Sequence, residues 1–150
     1  MPVKVQTGDF DASAEILALR RGNPKIGAVA CFIGLVRDVS ENAAVSEMTL
    51  EHYPGMTEKA LTEIVDEAKR RWDIVDALVI HRVGQLHPTD QIVLVATASA
   101  HRGEAFAACE FIMDYLKTQA PFWKKEQTPE GARWVDAREI GRASCRERVY

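Results

Sequence analysis

Apolar residues recur along this chain with two different periods, and the switches between them divide it into helices and strands. Over 11–21, Ala14, Leu17 and Leu19 recur as on a helix and Arg20-Arg21-Gly22-Asn23-Pro24 supplies a stop, which predicts a short first helix. The run Gly27-Ala28-Val29-Ala30-Cys31-Phe32-Ile33-Gly34-Leu35-Val36 is continuously apolar and too short for an isolated helix, so it predicts a buried strand. After a polar, turn-like 37–44, alternation over 45–52 predicts a half-buried strand paired with the preceding one. His52-Tyr53-Pro54-Gly55 ends it, and Thr57 caps a second helix on which Leu61, Ile64, Val65, Ala68 and Trp72 form the apolar stripe. The β-rich runs 77–83 and 91–100, either side of Gly84-Gln85-Leu86-His87-Pro88-Thr89-Asp90, predict an antiparallel pair. A third helix is expected over 103–118, with Phe106, Cys109, Ile112, Met113 and Leu116 on one side. Pro121 forbids its continuation, and two extended pieces, 122–127 and 132–135, flank the turn Thr128-Pro129-Glu130-Gly131.

Strands in adjacent pairs, rather than in strict alternation with helices, give an α+β class: antiparallel strand pairs packed with about three helices. With 150 residues and no repeat or linker, one domain over 1–140 is expected. The last ten residues, 141–150, have neither period and read as a vector-derived tail, so they are set aside. No basic region followed by an apolar segment opens the chain, and no apolar run approaches the length of a membrane span. Cys31, Cys109 and Cys145 have no CxxC spacing and no even count, which fits a reducing cytoplasm better than a secreted disulfide framework. The net charge is −3; without the three arginines and one glutamate of 141–150 it becomes −5. An acidic body argues against a duplex nucleic-acid binder, so any cationic cluster is a local one suited to a small anion.

Lys117, in the last turn of the third helix, and Lys124, just past an aromatic pair, are two amines braced by the Pro121 corner. By spacing alone they also fit a bland role, Lys117 facing the negative end of the helix dipole and Lys124-Lys125 on a solvated strand. Arg37 follows one strand and His101-Arg102 follow another, positions where loops on a rigid sheet carry binding groups. A helix starting near Gly103 offers free N–H groups to an anion, although His101 alone reads as a helix-entry cap. His52, His81 and His87 lack any metal-binding spacing. Asp114 and Glu126 are candidates to orient a lysine by charge pairing. Phe122 and Trp123 suit either a stacking wall for a flat heterocycle or core packing. Cys31, in an apolar run, and Cys109, on an apolar helix face, read as buried hydrophobes, which leaves no thiolate nucleophile.

Taken together, Phe32-Ile33-Gly34-Leu35-Val36-Arg37, Glu51-His52-Tyr53-Pro54-Gly55-Met56, Arg71-Trp72, His81-Arg82-Val83-Gly84, Ser99-Ala100-His101-Arg102 and Tyr115-Leu116-Lys117-Thr118-Gln119-Ala120-Pro121-Phe122-Trp123-Lys124-Lys125-Glu126 resemble the catalytic (large) subunits of molybdopterin synthase, the MoaE family. The resemblance spans 3–139 and implies an α/β-hammerhead-like fold. It implies a sulfurtransferase of molybdenum cofactor biosynthesis that converts cyclic pyranopterin monophosphate to molybdopterin by forming a dithiolene. Sulfur would come from the C-terminal Gly-Gly thiocarboxylate of a small ubiquitin-like partner, and a homodimer would form the centre of a heterotetramer. Neither a cofactor nor a metal is implied. By the same resemblance Lys117 and Lys124 are catalytic, and Arg37, His101, Arg102, Lys117, Lys124 and Arg138 hold the pterin and its phosphate. A donated sulfur also accounts for the missing thiolate. Two other classes remain to be weighed: an adaptor that only docks a ubiquitin-like tail, and a nucleotide-phosphate enzyme, for which no P-loop or Rossmann fingerprint is present.

Overall fold

The computed structural model of the chain describes residues 2–40 and 43–135, so Arg138 and the segment 141–150 lie outside the described residues. In chain order the elements are β1 (Val3–Gln6), α1 (Ala12–Arg20), β2 (Ala28–Leu35), β3 (Val39–Ser40), β4 (Ala43–Ala44), β5 (Glu47–His52) and α2 (Met56–Arg71). There follow β6 (Ile74–Arg82), β7 (Gly84–Leu86), β8 (Gln91–Ser99), α3 (Arg102–Thr118), β9 (Phe122–Thr128) and β10 (Gly131–Val135). The α+β class, its antiparallel pairs and its three helices are as expected.

The first sheet has the order β1-β6-β8-β2. Its centre is the antiparallel pair β6 and β8 that the two β-rich runs predict. Both strands are apolar on two faces because both faces are covered. Val79, Val93 and Val95 join Leu61 and Val65 of α2 and Ile112 and Leu116 of α3 in the larger core. Leu78, Ile80, Leu94 and Ala96 point the other way, onto Phe10 and, in α1, Ile16 and Leu19. Each fully buried Leu or Ile contributes about 1.5–3 kcal/mol here.

Three expectations about the strands need correction. The strand over 27–36 is not buried but lies at a sheet edge, and α1 packs mainly on β6 and β8. Ala30 and Gly34 on its inner face are therefore buried, while Cys31, Ile33 and Leu35 on the outer face are exposed, so Cys31 is no core hydrophobe. Secondly, β5 does not pair with β2. It pairs with β7 and β9 in a second antiparallel sheet, β10-β9-β5-β7, reached through the small β3–β4 hairpin. Thirdly, β1 was not anticipated, and it adds to β6 in parallel.

Two side chains also differ from expectation. Phe106 turns out of the core and is exposed. Thr57 is not the cap of α2: Gly55 is, in a left-handed conformation (φ 85°), with its N–H donating to Glu58 Oε1 at 3.1 Å. Thr57 Oγ1 instead accepts from the Tyr53 N–H at 3.0 Å and donates to the Pro121 carbonyl at 3.1 Å. The start of α2 is thereby tied to the corner between α3 and β9.

Candidate active site

α3 begins where β8 ends and runs back along it. Thr97 Oγ1 donates to the Ala105 carbonyl at 2.7 Å, and one turn later Cys109 Sγ lies 3.9 Å from the Val95 carbonyl. Burial pushes the Cys109 thiol up to about 11, so it carries no thiolate chemistry. The helix ends at Thr118, and the N–H groups of Gln119 and Ala120 both donate to the Tyr115 carbonyl, at 2.9 and 3.1 Å, before Pro121 turns the chain into β9. Lys117 is half-buried in this last turn, its ammonium 5.8 Å from the centre of the Phe32 ring on the inner face of β2. An aromatic face at that distance attracts the cation.

β9 alternates strictly. Phe122, Lys124, Glu126 and Thr128 are buried, whereas Trp123, Lys125 and Gln127 are exposed. Lys124 is thus not on a solvated face: it is 3% exposed, beside Glu126 at 2%. Their ion pair is 3.1 Å long, and the other carboxylate oxygen of Glu126 accepts from Arg133 Nη2 at 3.1 Å and Nε at 3.3 Å. Glu126 therefore stands between two cations, an arrangement that needs its partners to offset the cost of burial. Arg133 is the residue the sequence reading missed. The turn at 128–131 carried the signal, because the hairpin it closes sets Arg133 directly opposite Glu126.

The aromatic pair divides. Trp123 is on the outside, tilted against Tyr53 at 6.3 Å between ring centres, while Phe122 stacks at 3.9 Å on the buried His81. Burial lowers His81 to about 4, ahead of the neighbouring charge of His52; its bond to the Arg82 carbonyl acts in the opposite sense. Below the ordinary histidine pKa near 6.5 the unfolded chain takes up a proton that the folded chain refuses. Stability should therefore be full above about pH 6.5 and fall by about 3 kcal/mol on going down to about pH 4, a slope that denaturant titrations of His81→Gln should lack.

The remaining candidates separate. Arg37 leaves the end of β2 and lines an open cavity of about 520 Å³ with Val36, Asp38, Val39, Pro88 and Thr89. α3 runs back along β8 from its end, which carries Lys117 away from the helix start and over Phe32 of β2. His101 and Arg102 are exposed at the opposite end, where Gly27 packs so closely on Ala100 that an added Cβ would collide with its carbonyl oxygen. The helical rise from Arg102 to Lys117 is about 22 Å. One copy of the chain therefore does not bring all five side chains to one small molecule. A second depression, of about 400 Å³ between β1, α1 and β6, has its charges already matched, Lys4 to Glu15 at 3.4 Å and Lys69 to Asp76 at 3.7 Å.

Residues 5–119, most of the two cores and all of α3, match the family model described as MoaE protein. The chain belongs to the MoaE family. A relative from Ralstonia nicotianae named "Molybdopterin synthase catalytic subunit" is 74% identical over 136 residues, 91% of this chain and 77% of that protein. The fold is shared with the molybdopterin biosynthesis MoaE protein from Burkholderia ambifaria MC40-6, at 65% identity and a TM-score of 0.79, over 91% of this chain and 89% of that one. It is shared too with a protein–protein complex of subunits 1 and 2 of molybdopterin-converting factor from Helicobacter pylori 26695, at 18% identity and a TM-score of 0.74, over 91% of both chains, a likeness of fold alone. Membership of this family agrees with the expectation of an enzyme of molybdopterin synthesis. Among the described residues no helix is long and apolar enough to cross a membrane.

Proposed function

We propose that this chain is the subunit of molybdopterin synthase on which sulfur is inserted, converting cyclic pyranopterin monophosphate to molybdopterin with sulfur from the C-terminal thiocarboxylate of a small ubiquitin-like partner. The observation that carries the reading is the corner 119–121. It leads from a half-buried lysine above an aromatic ring to a lysine that is almost fully buried and held by a carboxylate. A lysine kept out of water in this way is suited to proton transfer and to a developing anion, not to surface charge. In this mechanism Lys117 assists attack by the thiocarboxylate sulfur and moves the proton, and Lys124 stabilises the anionic intermediate. Arg37 grips the phosphate, for which a guanidinium fork suits better than an ammonium. Each delivery turns one thiocarboxylate into a carboxylate, so two partner tails are used per dithiolene. The small partner is supported by the Helicobacter pylori relative, described as a complex of two subunits.

His101 and Arg102 enter the same pocket from a second copy. β2 is an edge strand of the first sheet, with Ile33 and Leu35 exposed beside it, a surface that invites pairing with another chain. A two-fold contact is self-complementary, so two β2 strands meeting antiparallel set the start of one against the end of the other. That brings the partner's His101 end to this chain's Arg37 end. Arg138 is assigned to the phosphate site by resemblance only. An adaptor that merely docks the tail would have no use for an arginine cavity at the edge of the sheet.

The test uses mixed dimers. Arg37→Ala and Arg102→Ala should each lower kcat/KM about 30- to 100-fold, the loss of a charged hydrogen-bond pair. In a mixed dimer both changes fall in one pocket and the other is intact, so refolding the two inactive proteins together should restore turnover well above either alone. A mixture as inactive as its components would refute a pocket built from two copies.

A further inference from the structure

Three irregularities of the backbone converge on Arg37. The pairing of β2 with β8 shifts register between Gly34 and Leu35. Beyond that shift Val36 is clamped on both sides, its N–H donating to the Asp90 carbonyl and its carbonyl accepting from the Thr89 N–H, each at 2.9 Å. Thr89 itself is left-handed, with φ 79°, and no other non-glycine residue among those described has a positive φ. Bulges next to functional sites re-aim side chains, and here the shifted register and the clamp fix the direction in which Arg37 leaves the strand.

The identity of the strained residue is the informative part. A β-branched side chain is about the worst choice for this conformation, which glycine adopts freely and asparagine tolerates. The clamp uses only the backbone N–H of Thr89 and would be met equally by glycine. Thr89 is exposed, and among the described residues its hydroxyl makes no hydrogen bond that would offset the strain within the fold. Thr89 does line the Arg37 cavity. Strain kept at such a place points to a role for the side chain in the site.

We infer that the Thr89 hydroxyl is a substrate-binding group of the Arg37 cavity, donating a hydrogen bond to an oxygen of the phosphate ester that Arg37 holds. This rests on the pterin phosphate reading above and adds to it a neutral donor beside the guanidinium.

The experiment is steady-state kinetics with cyclic pyranopterin monophosphate and the thiocarboxylated small subunit, together with thermal melts of each variant. Thr89→Val keeps the β-branch and loses the hydroxyl: KM for the pterin should rise about tenfold, with kcat within about twofold of wild type. Thr89→Ser keeps the hydroxyl and should restore KM. Thr89→Gly should raise KM like valine while melting no lower than wild type, a combination that a purely structural residue would not give. A wild-type KM for Thr89→Val, or a raised KM in Thr89→Ser as large as in valine, would overturn the assignment. Arg37→Ala separates the two levels. If it raises KM while Thr89→Val does not, only the role of Thr89 falls; if neither does, the phosphate reading of the cavity falls with it.

Discussion

Lys117→Ala should lower turnover by a factor of about 10²–10⁴, the usual worth of a positioned proton-transfer group, while leaving the protein folded. The two effects separate because of where this lysine sits. It is half-buried at the end of α3, where it complements the helix dipole and lies over the Phe32 ring. Those are worth about 0.3–1 and about 0.5–1 kcal/mol. A melting temperature lower by a few degrees, with near-wild-type affinity for the small subunit, is therefore expected beside the loss of rate. Lys117→Arg is the sharper variant: it keeps the cation above Phe32, but a guanidinium does not give up its proton near neutral pH. If Lys117 moves a proton, arginine should be nearly as inactive as alanine in single-turnover assays; if it supplies only charge, arginine should recover most of the rate. Wild-type turnover in Lys117→Ala would remove the residue from the mechanism.

How far the sequence discloses this arrangement varies with the physics at each position. β6 and β8 are legible because a strand buried on both faces must be apolar throughout, and their separation by a turn-rich segment leaves an antiparallel hairpin as the simple pairing. The neighbours of β5 are not legible, since alternation fixes which face is buried and says nothing about which strand lies alongside. Four residues of β1 are too few for a period to show. The exposure of Cys31 is not legible because an apolar run looks the same whether its second face is covered by a helix or left open.

The site residues divide in the same way. The family resemblance singled out Lys117, Lys124, Arg37, His101 and Arg102, but not their distribution. Arg37 and His101 each follow a strand, and those two strands, β2 and β8, are antiparallel neighbours, so the two residues necessarily lie at opposite ends of the sheet. Charged residues are seldom buried unless paired. Lys124 and Glu126, two apart on a short strand, therefore read as solvated until the hairpin with β10 is known to supply Arg133.

Glu126→Ala should be among the most damaging single changes in the chain, costing about 3–5 kcal/mol of stability, the usual penalty for removing one member of a buried ion pair. Against a total of about 5–15 kcal/mol for a domain, that is about a fifth or more. The carboxylate is 2% exposed and contacts both Lys124 and Arg133, so its loss leaves two positive groups facing each other across the β9–β10 hairpin. Glu126→Gln keeps the shape and an acceptor oxygen but not the charge, and should fall between alanine and wild type in urea denaturation. The functional share is isolated by the double variant Lys124→Met/Glu126→Leu. Replacing a buried pair by apolar groups of similar volume is often neutral or stabilising, so this protein should regain much of the stability lost in Glu126→Ala. If the pair served only the fold, turnover would return with stability. If Lys124 acts on the anionic intermediate and Glu126 holds it in place, turnover measured where every variant is folded should remain about 10²-fold or more below wild type. A stable and active double variant would reduce the pair to a structural strut and leave the chemistry to Lys117.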